Sequence, residues 1–152
     1  MPFNEVTATN QLAAQERAIA GMRNSFDYAR NPDSLTANML PAAIHFIPSF
    51  VAEERGHHNV WRNTLTLQSV LFVVPRESQG GKLRFIENEA IPYGQKWRDR
   101  FQTESVIAGL LENTAATRFF LIGGDYGAGP PLLEYAGIPY IGWIFNFTVV
   151  SA

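Results

Sequence analysis

Apolar residues recur along this chain with two different periods. Leu12, Ile19, Met22 and Phe26 are separated by seven, three and four residues, with small or polar positions between them. That spacing draws one stripe on an α-helix and predicts a helix of about five turns near the N-terminus. Thr7, Thr9 and Asn10 are available as N-caps. The helix is expected to stop before Asn31-Pro32, because the residue preceding a proline disfavours the α region, and "NPDS" then reads as a turn.

The period then changes to two. Ala42, Ile44 and Phe46 alternate with Ala43, His45 and Ile47, which predicts a short strand over 42–47, bracketed by Pro41 and Pro48 and therefore short or at a sheet edge. "VAEERGHHNVWRN" (51–63) reads as a polar loop. Thr64 to Val74 is a strand with Leu65, Leu67, Ser69, Leu71 and Val73 on one face. Its other face begins polar and turns apolar at Val70, Phe72 and Val74, so part of it is covered on both sides. "RESQGG" after Pro75 reads as a flexible loop.

A second helical period follows. Pro92 suits a first helical position, and Tyr93, Trp97 and Phe101 stack at four-residue spacing. Val106, Ile107, Leu110 and Leu111 continue that helix or form a short third one. Residues 117–122 read as a strand, 123–131 as a long Gly/Pro turn, and "LLEYAG" as a short strand, with a turn or bulge at Gly137-Ile138-Pro139. In the last strand Ile141, Trp143, Phe145, Phe147 and Val149 form a uniformly large apolar face, which must be the core face. That strand is expected to pair antiparallel with 64–74. The order of elements predicts an α+β fold: a mainly antiparallel or mixed sheet, with the N-terminal helix and one or two further helices packed on one face.

Composition narrows the picture. A length of 152 residues makes one domain the default, 1–152, with a core that needs no staples. There is no cysteine, which excludes disulfides, thiolate metal sites and a cysteine nucleophile. Twelve basic against fourteen acidic residues leave a net charge of −2, too weak a field to gather nucleic acid or anionic lipid. The segment MPFNEVTATNQ lacks the basic and apolar regions of a signal peptide, and no run reaches the ~20 apolar residues of a membrane span. A soluble protein is expected.

The search for chemistry returns mostly bland answers. His57-His58 beside Glu53 and Glu54 is the obvious metal candidate, but adjacent side chains diverge in an extended loop and His45 sits on another element. "GGDYGAG" has neither the Gly-x4-Gly-Lys-[Ser/Thr] nor the Gly-x-Gly-x-x-Gly spacing of a phosphate cradle, and Tyr126 at its centre reads as a contact finger for a partner. No Gly-x-Ser-x-Gly elbow is present. Glu87 and Glu89 share a strand face, but in a polar segment. Arg84, Lys96, Arg98 and Arg100 form a mild basic cluster that Asp99 partly neutralises, a weak footprint for nucleic acid. Tyr93, Trp97 and Phe101 read as core. Trp61, at a loop–strand junction, is either a lid on the core or an interface anchor. No cofactor, metal or catalytic constellation is expected, and an enzyme is not. The competing reading, a small hydrolase or ligand-binding domain, would use Glu87, Glu89, His57 and His58.

Two stretches carry a family likeness. "AIAGMRNSFDYARNPDSLTANMLPAAIHFIPS" resembles the opening of the tail terminator (tail-completion) proteins of long-tailed bacteriophages, the matching residues being Tyr28, Pro32, Leu35, Leu40, Pro41 and Ala42. Their closing turn and terminal strand resemble the end of this chain at Tyr135, Gly137, Ile138, Tyr140 and Gly142. The resemblance spans about 25–152 and transfers no catalytic residue. It implies a virion protein of the tail or neck, assembled in the host cytoplasm. It implies a homo-oligomeric, six-membered ring on the last ring of the tail tube, which ends tube polymerisation and meets the head-completion (stopper) protein. DNA would pass through the lumen without specific binding, and no membrane partner is implied. A ring of heterologous contacts needs two different faces on each subunit. The polar loops 52–62, 75–82 and 123–131 are the expected contact segments, with Glu53, Glu54, Arg55, His57, His58, Trp61, Arg76, Glu77, Asp125 and Tyr126 as interface candidates. Another neck component, a head-completion or adaptor subunit, is the nearest alternative.

Overall fold

The computed structural model describes residues 3–28, 30–56, 60–76 and 88–151. Among these the elements are helix α1 (Glu5–Arg17), strand β1 (Asn24–Ser25), a 3-10 turn (Ala37–Met39), β2 (Ala42–Glu54), β3 (Trp61–Pro75), helices α2 (Pro92–Phe101) and α3 (Glu104–Thr114), β4 (Arg118–Ala128), β5 (Glu134–Tyr135) and β6 (Ile138–Ser151). The fold is α+β, as the element order implied. The main sheet runs β1-β2-β3-β6-β4, and β5 pairs with the start of β6. Only β1·β2 is parallel; the other pairs are antiparallel.

The N-terminal helix begins earlier and ends sooner than its apolar stripe suggests. Asn4 caps it, its side-chain oxygen accepting from the backbone N–H of Val6 (2.8 Å) and Thr7 (3.2 Å). The helix is over by Arg17, and the chain reverses through Gly21 at φ +93°, a conformation glycine enters without a Cβ penalty. Asn24 and Ser25 then lie beside Ala42 and Ala43. Of the proposed caps, Thr9 is buried inside the helix, its hydroxyl on the Glu5 carbonyl, and Asn10 accepts from the N–H of Tyr28.

The strands are longer than their proline and glycine punctuation implied. β2 passes through Pro48 and continues to Glu54, because the proline falls in a β-bulge between Phe46 and Ser49, where a missing N–H breaks no ladder bond. The strand expected to be short or at a sheet edge is not short and does not end at residue 47; β1 lies outside it at Ala42 and Ala43, and only beyond them is it an edge. Likewise "GGDYGA" is part of β4 and not a turn. There Gly124 serves packing: a Cβ on it would lie 2.7 Å from the Phe145 ring. The chain turns between β5 and β6 at Ala136 and Gly137, both at positive φ as a type I′ hairpin requires.

Two apolar clusters cover the sheet from opposite sides. The larger joins α1, α2 and α3 to Leu65, Leu67, Leu71, Phe145, Phe147 and Val149. Trp97 stacks on Phe145 at 4.5 Å with ring planes 5° apart, and Trp143 stacks on the same ring at 5.5 Å. Phe101 meets Phe147 edge-on at 4.9 Å. The aromatic stripe of α2 is therefore core, as its spacing implied. The assigned core face of β6 is also correct, although Trp143 is only half-buried and donates its indole N–H to the Ala90 carbonyl (2.8 Å). On the reverse face a smaller cluster gathers Leu35, Leu40, Ala42, Ile44, Val70, Phe72, Leu133 and Tyr140. It explains why β3 turns apolar on both sides at Val70 and Phe72.

Candidate assembly interface

Beyond residue 48 the β2–β3 hairpin leaves the covered part of the sheet. Phe50 faces Leu65, Glu53 faces Arg62 and Glu54 faces Trp61, and the Arg55 N–H donates to the Val60 carbonyl at 2.6 Å. Phe50, Val51, Val60 and Trp61, residue types that favour extended backbone, lie along this arm. Every residue from Pro48 to Gly56 is exposed. Among the described residues, five of the eleven exposed large apolar side chains lie between residues 46 and 61: Phe46, Phe50, Val51, Val60 and Trp61. Scattered singly such residues need no explanation; their concentration on one arm makes it the candidate contact surface. Phe50 is 69 % exposed, more than any other large apolar side chain described. Glu53 lies 3.4 Å from Arg55 and 3.8 Å from Arg62, but all three are about half exposed, so these pairs contribute roughly 0–1 kcal/mol each.

The interface candidates named from sequence fall into separate places. Glu53, Glu54, Arg55 and Trp61 share this arm. Trp61 belongs to neither apolar cluster, which removes its reading as a lid on the core. Arg76 follows the opposite end of β3, about 45 Å away at the rise of a strand, its N–H donating to the Pro139 carbonyl. Asp125 and Tyr126 lie on β4, the far edge of the sheet. Tyr126 is not a mobile finger: it is a strand residue whose ring rests against Trp143 at 5.5 Å. His57, His58 and Glu77 lie outside the described residues, as do Glu87, Arg84 and the loop beyond Arg76. What sequence reasoning missed is the apolar half of the arm, Phe50 and Val51, since Pro48 reads as the end of the strand.

A second missed feature is a buried polar centre. Glu16 is fully buried and accepts four hydrogen bonds. Its Oε1 faces His45 Nε2 (2.5 Å) and the Ser25 hydroxyl (3.0 Å); its Oε2 takes the Ser69 hydroxyl (2.5 Å) and the Trp97 indole N–H (2.9 Å). His45 Nδ1 lies 2.9 Å from the Phe26 carbonyl, which can only accept, so Nδ1 is the donor on that side of the ring. Serine, histidine and a carboxylate thus meet, but not as a nucleophile and its base. Serine and histidine both bond the carboxylate and not each other, and Ser69 is fully buried. The centre ties α1, β1, β2, β3 and α2 to one side chain. In sequence Ser69 was visible as a polar break in an apolar face, His45 as a histidine in a strand and Trp97 as core, but nothing pointed to Glu16 or Ser25.

Among the described residues one concave feature is an open cleft of about 660 Å³, lined by Arg23, Pro41, Val74, Glu89, Tyr93 and Lys96 among others. Burial and the nearby Glu89 charge raise the Tyr93 phenol above its ordinary value. Lys96 donates to the Ala20 carbonyl (2.9 Å), and Arg100 to the Gln15 side chain (2.6 Å), so two cations of the proposed basic cluster are engaged internally. Among the described residues no three His, Asp or Glu side chains come together as metal ligands would, and no helix is long and apolar enough to cross a membrane. No protein-family profile matches the sequence, and no curated protein matches it.

Proposed function

We propose that this chain is a structural subunit of a virion neck, a tail terminator of a long-tailed bacteriophage that assembles as a ring on the tail tube. The observation that carries the reading is the concentration of exposed apolar side chains, Phe46, Phe50, Val51, Val60 and Trp61, on and beside one projecting arm of the sheet. Such an arm is costly to leave in water and is explained by a neighbour that covers it. The two stretches that resemble the tail terminators add support. They lie about a hundred residues apart, yet the Tyr135 hydroxyl donates to the Pro32 carbonyl, and Leu35, Leu40, Ala42 and Tyr140 share one buried cluster. Six of the matching residues, Pro32, Leu35, Leu40, Ala42, Tyr135 and Tyr140, thus meet in one structural unit.

In this reading the arm is one contact surface and the far edge, with Asp125 and Tyr126, another. Two unlike surfaces on one subunit are what a ring of heterologous contacts uses. The test is electron microscopy of phage particles assembled without this chain. Tails of uncontrolled length, or tails not joined to heads, are expected; normal virions would end the proposal. Cross-linking of the arm in intact virions separates the terminator from another neck component. A terminator links to tube protein, an adaptor only to portal-side protein.

A further inference from the structure

The main sheet has two open edges of matching direction. Along the path β1-β2-β3-β6-β4 each step after β1 is antiparallel, so β2 and β4 run in opposite directions. A β4 strand from a second copy, laid against β2 with its helices on the same side, therefore continues the alternation. β1 covers β2 only at Ala42 and Ala43, and among the described residues the arm of β2 and the outer edge of β4 over 118–122 have no strand partner. Exposed edges of this kind template pairing with another chain.

The side-chain pattern selects a register. Residues directly opposite one another share a face. Phe50 and Ala52 lie on the helix side with Leu65, and Phe119 and Leu121 with Val149 and Phe147. Val51, Glu53, Arg118 and Phe120 lie on the other side. The Ala43 carbonyl, on a helix-side residue, accepts from Phe26 and so points out of the edge. By the period of two, helix-side residues of the β2 arm present their backbone groups outward, and the antiparallel relation gives β4 the same phase. Matching helix-side to helix-side residues thus creates hydrogen-bonded pairs. Within that restriction one alignment places Glu53 opposite Arg118, Val51 opposite Phe120 and Phe50 opposite Leu121. It stops at Ser49 and Ile122, where both strands bulge. Arg118 has no acidic partner among the described residues and lies over the Phe120 ring at 4.7 Å, while the nearest cations to Glu53 are on exposed, flexible side chains.

We infer that copies of this chain join head to tail by pairing the β2 arm of one subunit, 49–54, with β4 of the next, 117–122, with Glu53 facing Arg118. The inference rests on the assembly reading above and names the partner as a second copy. Because the chain has no cysteine, introduced ones report alone. Val51 and Phe120 form a non-hydrogen-bonded pair in this register, where opposing side chains approach closest. Under mild oxidation a mixture of purified Val51→Cys and Phe120→Cys chains is expected to give a disulfide heterodimer, and neither variant alone a homodimer. Glu53→Arg should cut the heterodimer yield several-fold, and Arg118→Glu in the partner chain should restore it. A second mixture, Glu53→Cys with Arg118→Cys, probes the neighbouring pair of the same register and keeps the test open if Phe120→Cys folds poorly. A Val51→Cys homodimer, no cross-link in either mixture up to the solubility limit, or no rescue by the charge exchange would overturn the inference. Since no tail is present in this experiment, a failed virion phenotype and a failed strand contact are read separately.

Discussion

Replacing Glu16 tests how far one buried carboxylate organises the fold. Glu16→Ala removes the acceptor for the Ser25 and Ser69 hydroxyls, the Trp97 indole N–H and the His45 ring. A buried donor left without a partner costs roughly 1–3 kcal/mol. The two hydroxyls can rotate toward other acceptors, but the indole and imidazole cannot. Two stranded donors and the lost side-chain volume give an expected destabilisation of about 4 kcal/mol, a large part of the ~5–15 kcal/mol a domain possesses. With a urea m-value of about 2 kcal/mol/M, the midpoint should fall by about 2 M. Glu16→Gln keeps the volume but turns an amide N–H₂ toward either Trp97 or His45, and should cost about 2 kcal/mol. Trp97→Phe removes the indole donor. In the Glu16→Gln background it should therefore cost at least about 1 kcal/mol less than in the native one. Urea unfolding followed by far-ultraviolet circular dichroism reads the single variants and the double variant alike. A Glu16→Ala loss below about 1 kcal/mol, or strict additivity of Glu16→Gln and Trp97→Phe, would refute the network as drawn.

Other outcomes follow from the same geometry. Asn4→Ala should lower stability by about 1 kcal/mol through loss of the α1 cap, and Asn4→Asp should restore most of it, as read by thermal melts. Trp97→Ala should cost about 3–5 kcal/mol, since the ring is fully buried and stacked on Phe145. Gly142→Ala would drive a Cβ into the Leu71 carbonyl oxygen, a backbone atom that cannot swing aside, and should abolish soluble expression or lower the melting temperature sharply. Burial, with a smaller contribution from Tyr135, raises the Tyr140 phenol above its ordinary value of 10.0. The folded state thus holds that proton more tightly than the unfolded chain, so its contribution is intact below pH ~10 and is lost as pH rises through the raised value. Tyr140→Phe should flatten the alkaline limb of a stability–pH profile; an unchanged limb would show that other groups control it.

Much of the fold was legible in the sequence because burial leaves a period. The two-sided strand β3, the aromatic stripe of α2 and the core face of β6 each bury a regular row of side chains, so spacing alone located them. What misled was punctuation. Pro48 sits in a bulge and Gly124 of β4 sits under the Phe145 ring, so residues that normally end strands are accommodated inside them. Met22 and Phe26 fit a helical stripe, but Gly21 had already reversed the chain. The candidate interface was half legible. Its charged residues and Trp61 stood out, while Phe50 and Val51 carry no mark that separates them from core until the strand is seen to run beyond its cover. The Glu16 centre could not be read from spacing, because its members come from five elements.

The central claim is that the arm serves contact between molecules and not the stability of one. Phe50→Glu combined with Trp61→Glu measures this directly, with the melting temperature of the purified chain set beside tail length and head joining in phage supplied with the variant. The account predicts a melting temperature within a few degrees of the native chain and tails that are overlong or headless. Normal, joined tails of native length from a variant that folds would contradict it.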